Sequence, residues 1–221
     1  MSSVIATTTP VLMELGDPKR PALCWRLASP CRAISTAAVG GGLGVRHWVL
    51  NAHVPRDYAR TDLDAHVSAL AVEAECRGVG IGMLTAARVQ DYAMAIDGDV
   101  VAFATVGIET PTWAAAPNDD PDPPMVGTVN IVAFAPTALA DAALVNAVAT
   151  ATEAKVQAFV ELGVAGTGTA TDAVCILAPL ADGDGQPFAG PRSPIGAALA
   201  RAAHRAVADG VRRWRARWEP S

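Results

Sequence analysis

The chain contains no uncharged apolar run of the roughly 18 residues that a membrane-crossing helix requires. Its opening stretch, MSSVIATTTP, lacks the basic start and apolar segment of a secretory signal. Both absences predict a soluble, cytoplasmic protein with no membrane partner. The four cysteines, Cys24, Cys31, Cys76 and Cys175, form no C-x-x-C pair and have no metal-ligand spacing. They are expected to be reduced and mostly packed. His47, His53, His66 and His204 are equally unpatterned, so no metal site is expected. Positive charge is also scarce. A net charge of −5 and a pI near 5.3 argue against nucleic acid as the main partner. The basic cluster Arg212, Arg213, Arg215 and Arg217 reads as a solvated helix end, where cations suit the dipole. No internal repeat or low-complexity tract is visible.

What is present is a chain of 221 residues, long enough for one substantial core. Its mean hydropathy of +0.27 comes mostly from Ala and Val rather than from long greasy runs. ALCWRLA (22–28), RAISTAAV (32–39) and VRHWVLNAHV (45–54) read as strands, being apolar, β-branched or aromatic, and bounded by Gly and Pro. GGGLG (40–44) joins strand to strand without a following helix, which excludes a phosphate loop and marks either a hairpin turn or a backbone wall close to a ligand. Leu63, Val67, Leu70 and Ala74 repeat at helical spacing over about 61–77. Further strands are expected at 78–88, 89–97, 99–108, 127–136 and 173–179, with a hairpin at Asp97-Gly98. Residues 109–125, dense in Pro and Asp, read as a long surface loop and a candidate lid. A long helix is expected over 138–162, capped by Thr137 and stopped by Gly163. Ser193-Pro194 opens a last helix running to about Trp218 and loosened at Gly210. Many strands, about three long helices and no steady βα alternation predict a single α+β domain, a mixed or antiparallel sheet packed with those helices.

Three stretches could carry chemistry. On a wheel of about 100° per residue, Asn146, Thr150, Glu153, Gln157 and Glu161 fall in one narrow polar arc of the long helix. That arc is either its solvent edge or the lining of a cavity. Lys155, two residues from Glu153, points the other way, and either snorkels outward or meets a carboxylate such as Asp172. GTGTATDAV (166–174) leads small and hydroxyl residues into a buried strand. It is either an ordinary turn or a loop whose N–H groups converge on an oxyanion. FAGPRSPIG (188–196) offers a helix N-terminus and Arg192.

VLNAHV (49–54), GIGMLTAAR (80–88), GTVNI (127–131), ADAALVNAVATATEAK (140–155), GTGTATDAV (166–174) and FAGPRSPIGAALARAAHRAV (188–207) together resemble the adenosylcobinamide amidohydrolase family, the corrinoid salvage enzymes often called CbiZ. The stretches occur in the family's order over about 30–210. The chain departs from the family's pattern at GIETPTW (107–113) and at Arg192. The resemblance implies hydrolysis of the amide joining the aminopropanol arm to the corrin ring, yielding adenosylcobyric acid for cobalamin synthesis. It implies a corrinoid substrate and no cofactor, and it leaves a homo-oligomer open. A non-catalytic corrinoid binder, or an amidase for another substrate, is the alternative.

For that chemistry Glu153 is the expected general base, with its pKa raised by enclosure, and Asn146 and Thr150 are expected to orient it or the substrate. Thr128 and Asn130 share one strand face at period two and would add hydrogen bonds. The N–H groups of Gly166, Thr167, Gly168 and Thr169 would form the oxyanion pocket, next to Thr171 and Arg192 as substrate contacts. Asp172 would hold Lys155 or a threonine. A covalent route through Thr167 or Thr169 has no adjacent base in the sequence.

Overall fold

The structure is a computed structural model that describes residues 9–117, 127–180 and 183–218. Its elements are β1 (Val11–Leu15), β2 (Arg20–Ser35), β3 (Gly42–His53), α1 (Leu63–Glu73), β4 (Gly80–Thr85), β5 (Ala93–Asp97), β6 (Val100–Gly107), β7 (Thr128–Phe134), α2 (Asp141–Glu161), β8 (Ala173–Pro179) and α3 (Pro194–Trp218). The strands form one sheet in the order β4-β3-β2-β8-β7-β6-β5, with β1 paired to the start of β2. The β3–β4 and β7–β8 pairs are parallel and the others antiparallel, so the sheet is mixed.

The sheet is folded over on itself. The pairing of β2 with β3 shifts register between Arg26 and Cys31, across Ser29-Pro30. Proline cannot donate to a ladder, and an irregularity there bends the strand. The side chains then sort by parity. Leu23, Trp25, Val49 and Met83 of one half-sheet meet Phe103, Val132 and Leu177 of the other in an inner core. Trp25 meets Phe103 edge-on at 5.4 Å between ring centroids. The alternate residues face outward. Cys24, Leu50 and Ala52 pack under α1. Ala102, Ile131, Ala133 and Ile176 pack under α2 and α3. The result is four layers, helix, sheet, sheet and helices.

Close packing of α2 and α3 rests on small residues. Ala143, Ala147, Ala151 and Ala202, Ala203, Ala206 are all fully buried. Phe159 and Leu144 are buried too, each contributing roughly 1.5–3 kcal/mol. Gly210 does not loosen α3: a Cβ there would lie 2.4 Å from Val106 Cγ2, so glycine lets the helix settle on β6.

Several expectations are corrected. The two opening segments are one bent strand, β2, and β1 precedes them unannounced. Residues 89–91 form a 3-10 turn, so the strand expected at 89–97 begins at Ala93. Thr137 is not the N-cap of α2. Ala138 and Ala140 exchange backbone hydrogen bonds with Gln186, which holds the chain extended until Asp141. Ser193 does cap α3, its Oγ accepting from Gly196 N at 3.1 Å. Gly98 takes the expected hairpin turn at φ +57°. The candidate lid splits in two: 109–117 is described, while 118–125 lies outside the described residues.

Candidate active site

One end of the sandwich opens into a cavity of about 510 Å3, between the start of β7 and β8 and the ends of β2, β3 and β4. Thr128, Asn130, Thr171 and Asp172 line one wall. Thr85, Val54, Pro55, Arg56, Tyr58 and Arg60 line the other. A volume of this size suits a small-molecule arm.

The floor is a chain of buried polar groups linking the two half-sheets. Asn130 Nδ2 donates to Asn51 Oδ1 at 2.9 Å and lies 3.4 Å from the Leu84 carbonyl oxygen. Asn51 Nδ2 donates to Thr105 Oγ1 at 3.0 Å. Asn51, Thr105 and Asn130 are all at least 98% buried. Asn130 Oδ1 has no partner among the described residues. A buried acceptor left unpaired costs about 1–3 kcal/mol. Nearer the mouth, Thr171 Oγ1 donates to Gly127 O at 3.1 Å, so at 2.7 Å it receives the proton of Thr128 Oγ1.

Behind this wall Asp172 takes four donors: Val129 N, Thr169 N, Thr169 Oγ1 and Lys155 Nζ. The expected pairing of Asp172 with Lys155 and with a threonine is present, and the ion pair is nearly enclosed, with side chains 8% and 12% exposed. It bolts α2 to the 166–172 loop and to β7. Gly168 sits against it, because a Cβ there would come within 2.6 Å of both charged groups.

The rest of the expected site is rearranged. The N–H groups of 166–169 do not converge on a free point. Gly166 N donates to Val164 O, Thr167 N and Gly168 N to Thr112 O, and Thr169 N to Asp172. The Thr167 and Gly168 N–H groups dock segment 109–117, which also contributes Ala114 N to Thr167 Oγ1, so Thr167 is not poised as a nucleophile, and Thr169 Oγ1 is bound to Asp172. Glu153 is exposed, not enclosed, and Asn146 is exposed beside it. Lys155 and Glu153 stand two residues apart, hence on opposite sides of α2, and Lys155 faces the site. Thr150 is buried, but its Oγ1 donates to Ala189 O at 2.8 Å, tethering loop 188–193 to the outer side of α2. Arg192 is exposed on that loop and does not line the cavity.

Other members of the site escaped the sequence reading. Asn51 and Thr105 carried one signal, a polar residue inside an otherwise apolar strand. Tyr58 and His66 carried none. Tyr58 lies in the loop between β3 and α1, where it lines the cavity and meets His66 Nδ1 of α1 at 2.6 Å, the rings stacked at 5.5 Å. Burial, then the Arg60 charge, lowers the His66 pKa, and burial raises that of Tyr58.

These features make a candidate small-molecule site in an α+β domain, built from amide and hydroxyl groups around one enclosed ion pair. The chain belongs to the adenosylcobinamide amidohydrolase family, whose profile matches residues 7–219. It is 27% identical to the adenosylcobinamide amidohydrolase of Methanosarcina mazei over 187 residues, covering 81% of this chain and 89% of that protein. It is 40% identical to the enzyme of that name from Halobacterium salinarum over 135 residues, 57% of this chain and 55% of the relative. A protein from Pyrococcus horikoshii OT3 of known crystal structure shares the fold, with a TM-score of 0.51 at 10% identity over 95% of this chain and 86% of that one.

Proposed function

We propose that the chain hydrolyses the amide joining the aminopropanol arm of adenosylcobinamide to its corrin ring, releasing adenosylcobyric acid and aminopropanol. Family membership supports the reaction. The observation that supports its placement is Asn130, which lines the 510 Å3 cavity and whose buried amide oxygen has no partner among the described residues. That acceptor suits the N–H of a secondary amide before cleavage and the ammonium of the departing amine after it. It disfavours the carboxylate left on the corrinoid, which assists product release. A cavity of this size takes the arm, while the ring rests at the mouth against the exposed Arg56 and Arg60. Thr128 and Thr171 present hydroxyls to the amide, and the Asp172–Lys155 pair holds their wall in place. Glu153, Asn146 and Arg192 have no part in this arrangement.

Incubation with adenosylcobinamide, followed by chromatography, is expected to yield adenosylcobyric acid, with and without a chelator present. Binding without cleavage would point instead to a corrinoid carrier, and neither binding nor cleavage to another amide substrate.

A further inference from the structure

Hydrolysis of an amide requires a group that takes a proton from water and returns it to the amine. Among the described residues lining the cavity, the titratable side chains are Arg56, Tyr58, Arg60 and Asp172. The arginines stay protonated. Asp172 is saturated by its four donors, one of them the Lys155 ammonium. Tyr58 remains, and its hydroxyl is bonded to a histidine that does not line the cavity itself.

Resting on the function proposed above, we propose that Tyr58 and His66 form the proton relay of the site, with Tyr58 touching the reacting water and His66 acting through it. The neutral imidazole accepts at Nδ1 and the phenol donates. As the water oxygen bonds to the amide carbon, its proton passes to Tyr58 Oη while the phenolic proton passes to His66 Nδ1. Collapse of the tetrahedral species breaks the C–N bond. The proton returns by the same path to the amine nitrogen, leaving a carboxyl group and an amine. Neither oxidant nor co-reactant is consumed.

His66 is suited to this by its surroundings. It lines a second cavity of about 180 Å3 behind Tyr58, shared with Asp17, Arg20, His53 and Arg60. Asp62 acts on it from the turn before α1. Burial, then the Arg60 charge, disfavours the imidazolium and outweighs Asp62, which favours the neutral ring whose Nδ1 accepts from Tyr58. The two ring planes lie 29° apart with centroids at 5.5 Å, so the pair packs as one unit.

The test is steady-state kinetics of the full chain on adenosylcobinamide across pH 5–9. His66→Gln and Tyr58→Phe are expected to lower kcat by about 100-fold, as for loss of a general base, with KM within about twofold. The acid limb of the wild-type kcat/KM profile is expected to lie below the ordinary histidine value of about 6.5 and to vanish in His66→Gln. Added imidazole is expected to restore part of the rate of His66→Gly. A variant series that raises KM and leaves kcat and the acid limb unchanged, or that imidazole does not rescue, would show the pair to be a mere tether of the 54–62 loop and overturn the relay alone. A folded wild-type chain without turnover would overturn the function, and the relay with it.

Discussion

The cavity end of the molecule and the outer face of α2 both hold small polar side chains, but their hydrogen bonds are settled differently. Along the polar arc of α2 the hydrogen bonds are closed by α2 itself, by the loop before α3 and by α3. Thr150 holds the Ala189 carbonyl, Gln157 donates to Glu161, and Glu161 meets His204 at 2.8 Å. At the cavity the partners come from remote strands, as Asn51 and Asn130 do from 79 positions apart, and one buried acceptor is left over. Polar composition alone does not mark a site. A buried polar group left incomplete points to one only beside a cavity, since Trp25 Nε1 in the inner core is also without a partner among the described residues.

The ion pair tests the cavity side most severely. Lys155→Met would strand the nearly enclosed Asp172 carboxylate and cost about 3–5 kcal/mol. In a chain of this size that lowers Tm by about 10 °C, measurable by calorimetry. Adding Asp172→Asn to it is expected to recover part of the loss. A Tm shift under 2 °C for Lys155→Met would mean that the wall does not depend on this bolt.

Asn130→Ala is expected to lower kcat/KM by about 100-fold, the scale of one lost contact to the reacting group, while Asn146→Ala on the outer face changes it by less than about twofold. Equal effects of the two would erase the contrast between the regions.

How far the residues themselves announce this contrast depends on range. Period-two spacing puts Thr128 and Asn130 on one face of β7, and Ser193-Pro194 marks the start of α3, because both are local rules. Asp172 and Lys155 were also within reach, since a lysine on the apolar side of a helix needs a carboxylate. The fold-over of the sheet was not legible: it depends on a bend at Ser29-Pro30 and on cross-layer contacts that no periodicity encodes. The same gap hid Asn51, Tyr58 and His66. The misplacing of Glu153 has a different cause. The wheel shows a narrow polar arc, but α2 also leaves Val145 and Val160 in solvent, at 54% and 68% exposure. A narrow arc therefore did not mean an enclosed helix.

Away from both regions, Asp97 clamps the β5–β6 hairpin to α3 through Arg201 and Arg205. Arg201 first, then Arg205, holds the Asp97 carboxyl down to about 2. The folded value lies below the unfolded one, so this contribution is complete above about pH 4 and fades as pH falls toward 2. Asp97→Asn is expected to cost up to about 1 kcal/mol at pH 7 and nothing near pH 2, by denaturant unfolding at each pH. Turnover is expected to be unchanged, since the clamp touches neither cavity wall. A cost that persists at pH 2 would assign the effect to packing rather than charge.

The smallest effect is the most informative about the comparison. Glu153 is exposed on the side of α2 opposite Lys155, so Glu153→Gln removes a solvated charge and little else. Surface changes of this kind stay within about 0.5 kcal/mol, and kcat, KM and the pH profile of adenosylcobinamide turnover are expected to remain within about twofold. A catalytic carboxylate would behave otherwise, with kcat falling by two or more orders of magnitude and an acid limb disappearing. That result would require a second molecule to close over the outer face of α2 and complete the site there, and it would move the chemistry out of the cavity altogether.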